Sequence, residues 1–170
     1  MSKLEYGDVV YLHNQGDDNE NRWLTGCRDK GNQNVRTDDK NTEPELISSY
    51  KWQICRSFAD VGSGSIENNS TVFLKCMYSK AGDNVWLTGG REKGNQSVFT
   101  RKADLDQSKV NYFKWELERQ VPNDNRFFLN LRDIPRELFL TGGRGSGQHE
   151  VKTLHERDLR STFTWLLEKA

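Results

Sequence analysis

The sequence predicts an all-β protein of twelve strands arranged as three similar four-stranded units, and three observations carry that prediction. A 13-residue stretch occurs three times without a gap: WLTGCRDKGNQNV at 23–35, WLTGGREKGNQSV at 86–98 and FLTGGRGSGQHEV at 139–151. A run of β-favouring residues precedes each copy, and an aromatic-x-Trp triplet follows each one. Only 34% of the 170 residues are hydrophobic, yet 5 Trp, 5 Tyr and 8 Phe are present. That is the profile of a loop-rich β structure and not of a disordered chain.

The elements follow in order within each unit. The first strand is read from VVYL (9–12), TVFL (71–74) and RFFL (126–129). The second is the WLTG or FLTG run itself, and the third begins at Val35, Val98 and Val151. The fourth surrounds Trp52, Trp115 and Trp165, each two residues after Tyr50, Phe113 or Phe163. Apolar-polar alternation over four to six positions, bounded by Gly, Asn and Asp, is the strand pattern used throughout. Trp52 and Trp115 lie 63 residues apart, but Trp115 and Trp165 only 50. The surplus is SFADVGSGSIENN, residues 57–69, whose Gly, Ser and Asn content predicts a linker. The units are placed at about 6–56, 70–120 and 125–169, within a single domain spanning 1–170.

Three four-stranded units are too few for a propeller, which needs at least about four blades. An open stack of three would leave both of its ends bare. The β-trefoil closes three such units, and the chain resembles that superfamily from about Tyr6 to Lys169. GDVVYLHNQ followed by NRWLTG is similar to the opening of a MIR-type trefoil, and the general rhythm resembles fascin-like and lectin trefoils. The resemblance implies a six-stranded barrel capped by three hairpins, with the glycine-rich stretches as hairpin turns. It implies that Trp52, Trp115 and Trp165 are core residues, with Leu24, Leu87 and Leu140 pointing inward beside them.

Leu, Thr, Gly, Arg and a second Gly are identical in all three copies of the 13-residue stretch. Gly26, Gly89 and Gly142 recur, whereas the next position is Cys27, Gly90 or Gly143. A positive φ disfavours Cys, so the first glycine is expected to carry it. Gly31, Gly94 and Gly147 are read as turn residues in the same way. GGRGSG in the third copy lacks dinucleotide spacing and precedes a predicted strand, so nucleotide binding is rejected.

Arg28, Arg91 and Arg144 occupy one hairpin position. A guanidinium there either ties down turn carbonyls and a neighbour such as Asp29 or Glu92, the favoured reading, or offers a donor fork to a ligand. The pairs Asn32–Gln33, Asn95–Gln96 and Gln148–His149 are the best candidates for binding, although solvated tips explain them equally well. Amides supply the donor and acceptor pairs that sugar hydroxyls need, and a nearby ring would supply the apolar half. Asp17 and Asp18, Asp83 and Asp133 in the loops before the hairpins are placed to complete such sites. Ricin-type trefoils share a Q-x-W motif, and here Gln is absent at all three places, so that family's sugar residues are not carried over.

Catalytic, metal and cofactor sites are not expected. His13, His149 and His155 have no zinc-ligand spacing and read as surface residues, and no G-x-S-x-G elbow occurs. Cys27, Cys55 and Cys76 cannot all pair and read as free thiols of a reducing compartment. With 25 basic against 25 acidic residues, no field for nucleic acid arises. MSKLEYGDVVYLHNQ is too polar for a signal peptide, and no apolar run reaches the roughly 18 residues of a membrane span. A cytoplasmic protein is expected, with non-classical release and a homodimer left open. The expected function is carbohydrate binding by a multivalent lectin of non-ricin type, with glycans or glycoproteins as partners. The alternative is a protein-interaction trefoil, such as a protease inhibitor or a cytoskeletal or regulatory module. Loop 57–69 or loop 104–111 would then carry the function.

Overall fold

A computed structural model describes residues 2–16, 22–27, 35–39, 43–90, 98–142, 151–155 and 161–170. Among them are twelve strands. Unit 1 holds β1 (Val9–Asn14), β2 (Trp23–Thr25), β3 (Arg36–Asp38) and β4 (Trp52–Cys55). Unit 2 holds β5 (Ser70–Cys76), β6 (Trp86–Gly89), β7 (Val98–Arg101) and β8 (Trp115–Arg119). Unit 3 holds β9 (Arg126–Leu131), β10 (Leu138–Thr141), β11 (Lys152–Leu154) and β12 (Trp165–Lys169).

The pairings close a ring. β1 pairs with β4, β4 with β5, β5 with β8, β8 with β9, β9 with β12, and β12 returns to β1, every pair antiparallel. The remaining strands form the hairpins β2–β3, β6–β7 and β10–β11, each joined to the first strand of its own unit. A six-stranded barrel with three hairpins is the β-trefoil arrangement, with the strands where the repeats placed them. Closure removes the sheet edges that would otherwise invite another chain to pair.

The barrel is filled by the repeated residues. Trp52, Trp115 and Trp165 are fully buried, as are Leu24, Leu87 and Leu140. Each indole N–H donates to the carbonyl of the leucine in its own unit, Trp52 to Leu24 at 3.1 Å, Trp115 to Leu87 at 3.1 Å and Trp165 to Leu140 at 3.2 Å. A buried donor without a partner would cost about 1–3 kcal/mol, so these bonds make tryptophan acceptable inside the barrel.

Strand β1 shows why the pattern works. Val10, Leu12 and Asn14 are buried, while Val9, Tyr11 and His13 face outward. Asn14 is the polar exception, and it is satisfied: its amide donates to the Thr162 carbonyl at 2.8 Å and its oxygen accepts from Gly16 N–H at 3.0 Å. In the equivalent places β5 and β9 carry Cys76 and Leu131.

The segment 57–69, read as a linker, is anchored by two apolar residues. Ile66 is fully buried, and its N–H donates to the Leu4 carbonyl at 2.8 Å. Phe58 packs edge-on against Phe73, Trp86 and Phe113 at centroid distances of 4.9, 5.1 and 5.0 Å. Gly62 and Gly64, at φ +84 and +97, turn the chain between these anchors.

Candidate functional site

Each hairpin rises from the same frame. Thr25, Thr88 and Thr141 are buried, and their hydroxyls donate to the carbonyls of Ser49, Tyr112 and Thr162 at 3.3, 2.9 and 3.2 Å. With the indole–leucine bonds, this fixes three hairpin bases in equivalent positions around the barrel axis.

The expectation that the first glycine carries a positive φ is not met. The next residue does: Cys27 has φ 61 and Gly90 has φ 69. What the first glycine supplies is space. A Cβ on Gly26 would lie 3.1 Å from Trp52 Cη2 and 3.2 Å from Thr100 Cγ2. On Gly89 it would lie 2.8 Å from Thr153 Cγ2, and on Gly142 2.5 Å from the Asn14 amide nitrogen. Cys27 can take this conformation because a single non-glycine residue does visit the left-handed region when its surroundings hold it there.

Those surroundings come from the next unit. The Cys27 thiol donates to the Asn84 carbonyl at 3.1 Å and lies 3.2 Å from the Thr100 hydroxyl. Gly90 abuts Leu138 and Ile134 of unit 3, and Gly142 abuts Asn14 of unit 1. The hairpin base of each unit therefore packs against the unit that follows, cyclically. The loop carrying Asp83 lies against hairpin base 1, and the loop carrying Asp133 lies against hairpin base 2. Interleaving of units was not readable from linear repeats, which align each acidic loop with its own hairpin.

Of the expected site residues, Asp83 and Asp133 are within the described residues. Asp83 is exposed between β5 and β6. Asp133 is exposed between β9 and β10, and its carboxylate pairs with Lys114 Nζ at 2.8 Å. Beside it Arg132 bridges Glu116 at 2.9 Å and Glu137 at 3.5 Å. Burial pushes the Glu116 carboxyl above its ordinary value, against the pull of the Arg132 guanidinium. Arg28, Asn32, Gln33, Arg91, Asn95, Gln96, Arg144, Gln148, His149 and Asp18 lie outside the described residues, as do Gly31, Gly94, Gly147, Asp17, Asp29 and Glu92.

Two features escaped sequence reasoning. His13, expected on the surface, is half-buried and lies flat on Trp23, centroids 4.2 Å apart and planes at 15°. Alternation in VVYLHN puts Tyr11 and His13 on one outer face, but nothing local shows that Trp23 meets them there. A polar cleft of 540 Å³ also opens away from the hairpins, lined by Lys3, Glu67, Asn68, Arg119 and Asn123 among others.

The three cysteines are free and buried. Burial pushes the Cys55 thiol up to about 11. Cys27 and Cys76 share a hydrogen bond that lowers Cys27 and raises Cys76, burial adding to the rise in Cys76. Iodoacetamide applied to the folded protein at mildly alkaline pH is expected to label Cys27 first, with Cys55 and Cys76 reacting only after unfolding. Equal labelling of all three in the folded state, read by peptide mass spectrometry, would contradict this burial.

Among the described residues no group of three His, Cys, Asp or Glu side chains gathers as a metal site. None of their helices is long and apolar enough to cross a membrane.

No protein-family model matches the chain, and no curated protein matches it by sequence. Solved structures match in shape. The SDF2-like protein from Arabidopsis thaliana superposes with a TM-score of 0.67 at 17% identity, covering 98% of this chain and 95% of that one. ThreeFoil, a designed three-fold symmetric protein, gives 0.64 at 12% identity, covering 95% and 99%. A Polyporus squamosus lectin gives 0.63 at 13% identity, covering 96% of this chain and 49% of its own. At these identities the likeness is one of fold, and with the closed barrel and its three hairpins it makes this chain an all-β protein of trefoil architecture.

Proposed function

We propose that the protein binds carbohydrate, as a lectin of non-ricin type with up to three related sites at the capping hairpins. The observation that supports this most is the common frame beneath the tips. The same indole–carbonyl and threonine–carbonyl bonds recur in all three units, so three polar tips are carried on equivalent bases. The loops of Asp83 and Asp133 lie against hairpin bases 1 and 2, so an acid-bearing loop of one unit adjoins the hairpin base of the unit before it. One structural neighbour is a lectin described as bound to Neu5Aca2-6Galb1-4GlcNAc. Sites of this kind are weak singly and gain avidity when several engage one glycan surface. No catalytic step belongs to this reading.

Labelled protein on a glycan array, at physiological salt, is expected to give hits that free sugar competes. Asn95→Ala and Gln96→Ala should each reduce them about tenfold, the size of one or two lost hydrogen bonds. A blank array at high protein concentration sinks the reading for the glycans tested.

A second reading, a protein-interaction module, has its own observation. Leu105 is 79% exposed, next to Asp106, whose carboxylate accepts from Ser108 N–H at 3.0 Å and Ser108 Oγ at 2.8 Å. A large apolar side chain held out by a capped turn suits a protein partner. Leu105→Ser abolishing capture of a polypeptide, with no glycan bound, would favour it.

A further inference from the structure

Hairpin base 1 rests on the end of β5 in the way that hairpin base 3 rests on the end of β1. Register makes Asn14, Cys76 and Leu131 equivalent, because His13 faces Trp23, Lys75 faces Trp86 and Asn130 faces Phe139. The bonds correspond as well. Gly142 and Gly26 donate their N–H groups to the Thr162 and Ser49 carbonyls. Those carbonyls also accept from Asn14 Nδ2 at 2.8 Å and Cys76 Sγ at 3.7 Å. Cys76 Sγ reaches the Gly26 carbonyl too, at 3.6 Å, and that peptide bond leads directly into Cys27. In the repeat, the residue after the glycine is Cys27, Gly90 or Gly143. Only the junction of units 1 and 2 therefore has cysteine at both positions.

The two thiols differ in their surroundings. Cys27, at φ 61, has its thiol 3.1 Å from the Asn84 carbonyl and 3.2 Å from the Thr100 hydroxyl. It is 6% exposed against 1% for Cys76, so it stands nearer to water. The hydrogen bond from Cys76 and the one from Thr100 lower its pKa against the effect of burial, while Cys76 is raised. Cys55 stands apart from the pair. It lies opposite Phe73 on the β4–β5 ladder, three positions from Cys76, and its thiol bonds to Gln53 of its own strand.

We infer that Cys27 and Cys76 are a peroxide-sensitive modification site, forming a reversible disulfide that staples hairpin base 1 to unit 2. Cys27, as the thiolate, attacks one oxygen of hydrogen peroxide. An S–O bond forms, the O–O bond breaks, and the departing hydroxide takes a proton to become water. Cys76 gives up its proton and attacks the sulfenic sulfur. The S–S bond forms, the S–O bond breaks, and a second water leaves. Two thiols lose two electrons, and one peroxide becomes two waters. An external dithiol reverses the bond by exchange. The bond closes a loop from residue 27 to residue 76, which restricts the unfolded chain and stabilises the folded one.

The test does not depend on glycan binding. The full chain is reduced, freed of reductant, treated with a few equivalents of hydrogen peroxide, alkylated in denaturant and digested without reduction. Two peptides joined through Cys27 and Cys76 are expected, lighter by two hydrogen atoms than the pair of thiol peptides, with Cys55 alkylated. The urea midpoint should rise by about 1 M and return to its starting value with dithiothreitol. Cys27→Gly and Cys76→Ser should abolish both the link and the rise, whereas Cys55→Ser should keep them. Cys27→Gly is the gentle variant, because Gly90 already holds that place in unit 2 at φ 69. All three thiols surviving peroxide overturns the inference, as does Cys27 ending as a sulfinate beside a free Cys76. A link through Cys55 or between two chains overturns it equally. A Cys27–Cys76 link with an unchanged or lower midpoint overturns the staple. If Cys76→Ser fails to fold, Cys27→Gly decides.

Discussion

Trp115→Ala is expected to cost about 3–5 kcal/mol, the range for removing a large aromatic from a packed core. Trp115 is fully buried, and its indole N–H is the donor that satisfies the Leu87 carbonyl. Against a typical domain stability of about 5–15 kcal/mol, that loss leaves little folded protein at elevated temperature. Trp115→Phe should cost less, because the ring bulk stays while the Leu87 carbonyl loses its donor. Trp52→Ala and Trp165→Ala should resemble Trp115→Ala, because the same bond recurs in each unit. Urea unfolding midpoints check this. A cost below about 1 kcal/mol for Trp115→Ala would mean that the indole does not hold the barrel together.

Gly142→Ala is expected to be the most damaging single-methyl addition at the repeated glycines, at about 2–4 kcal/mol. The new Cβ would sit 2.5 Å from Asn14 Nδ2 and 2.6 Å from its Cγ. Asn14 has no room to yield, since its amide is held at both ends by Thr162 and Gly16. Gly26→Ala should cost less, because its nearest atoms lie at 3.1 and 3.2 Å. A double-mutant cycle gives the sharper test. With Asn14→Ala already in place, the clash disappears, so Gly142→Ala should add little. Additive costs in that cycle would show that the glycine is needed for some other reason.

These two glycines also show where sequence reasoning stopped. Repetition of Gly26, Gly89 and Gly142 revealed that something excludes a side chain there, but not what. Positive φ was the local explanation, and it belongs to the following residue. The true cause is contact with Trp52 and Thr100, with Thr153, and with Asn14, all distant in sequence. The candidate site divides in the same way. Its amides and arginines stood out as candidates because the chain repeats them, and they lie outside the described residues. The contact of hairpin bases 1 and 2 with a loop of the following unit was not legible, because no repeat encodes who sits beside whom.

By itself the sequence determined the strand count, the three-fold division and the core. Alternation and repetition are local properties, and Trp52, Leu24 and their counterparts occupy periodic positions. Tertiary structure alone decided the rest. It turned the polar segment 57–69 into a support, through Phe58 and Ile66. It also buried the aromatic clusters of units 2 and 3 and left Tyr11, His13 and Trp23 half-buried. Equivalent residues in equivalent strands end in different surroundings because burial depends on what folds over them, and that is set by chain arriving from elsewhere.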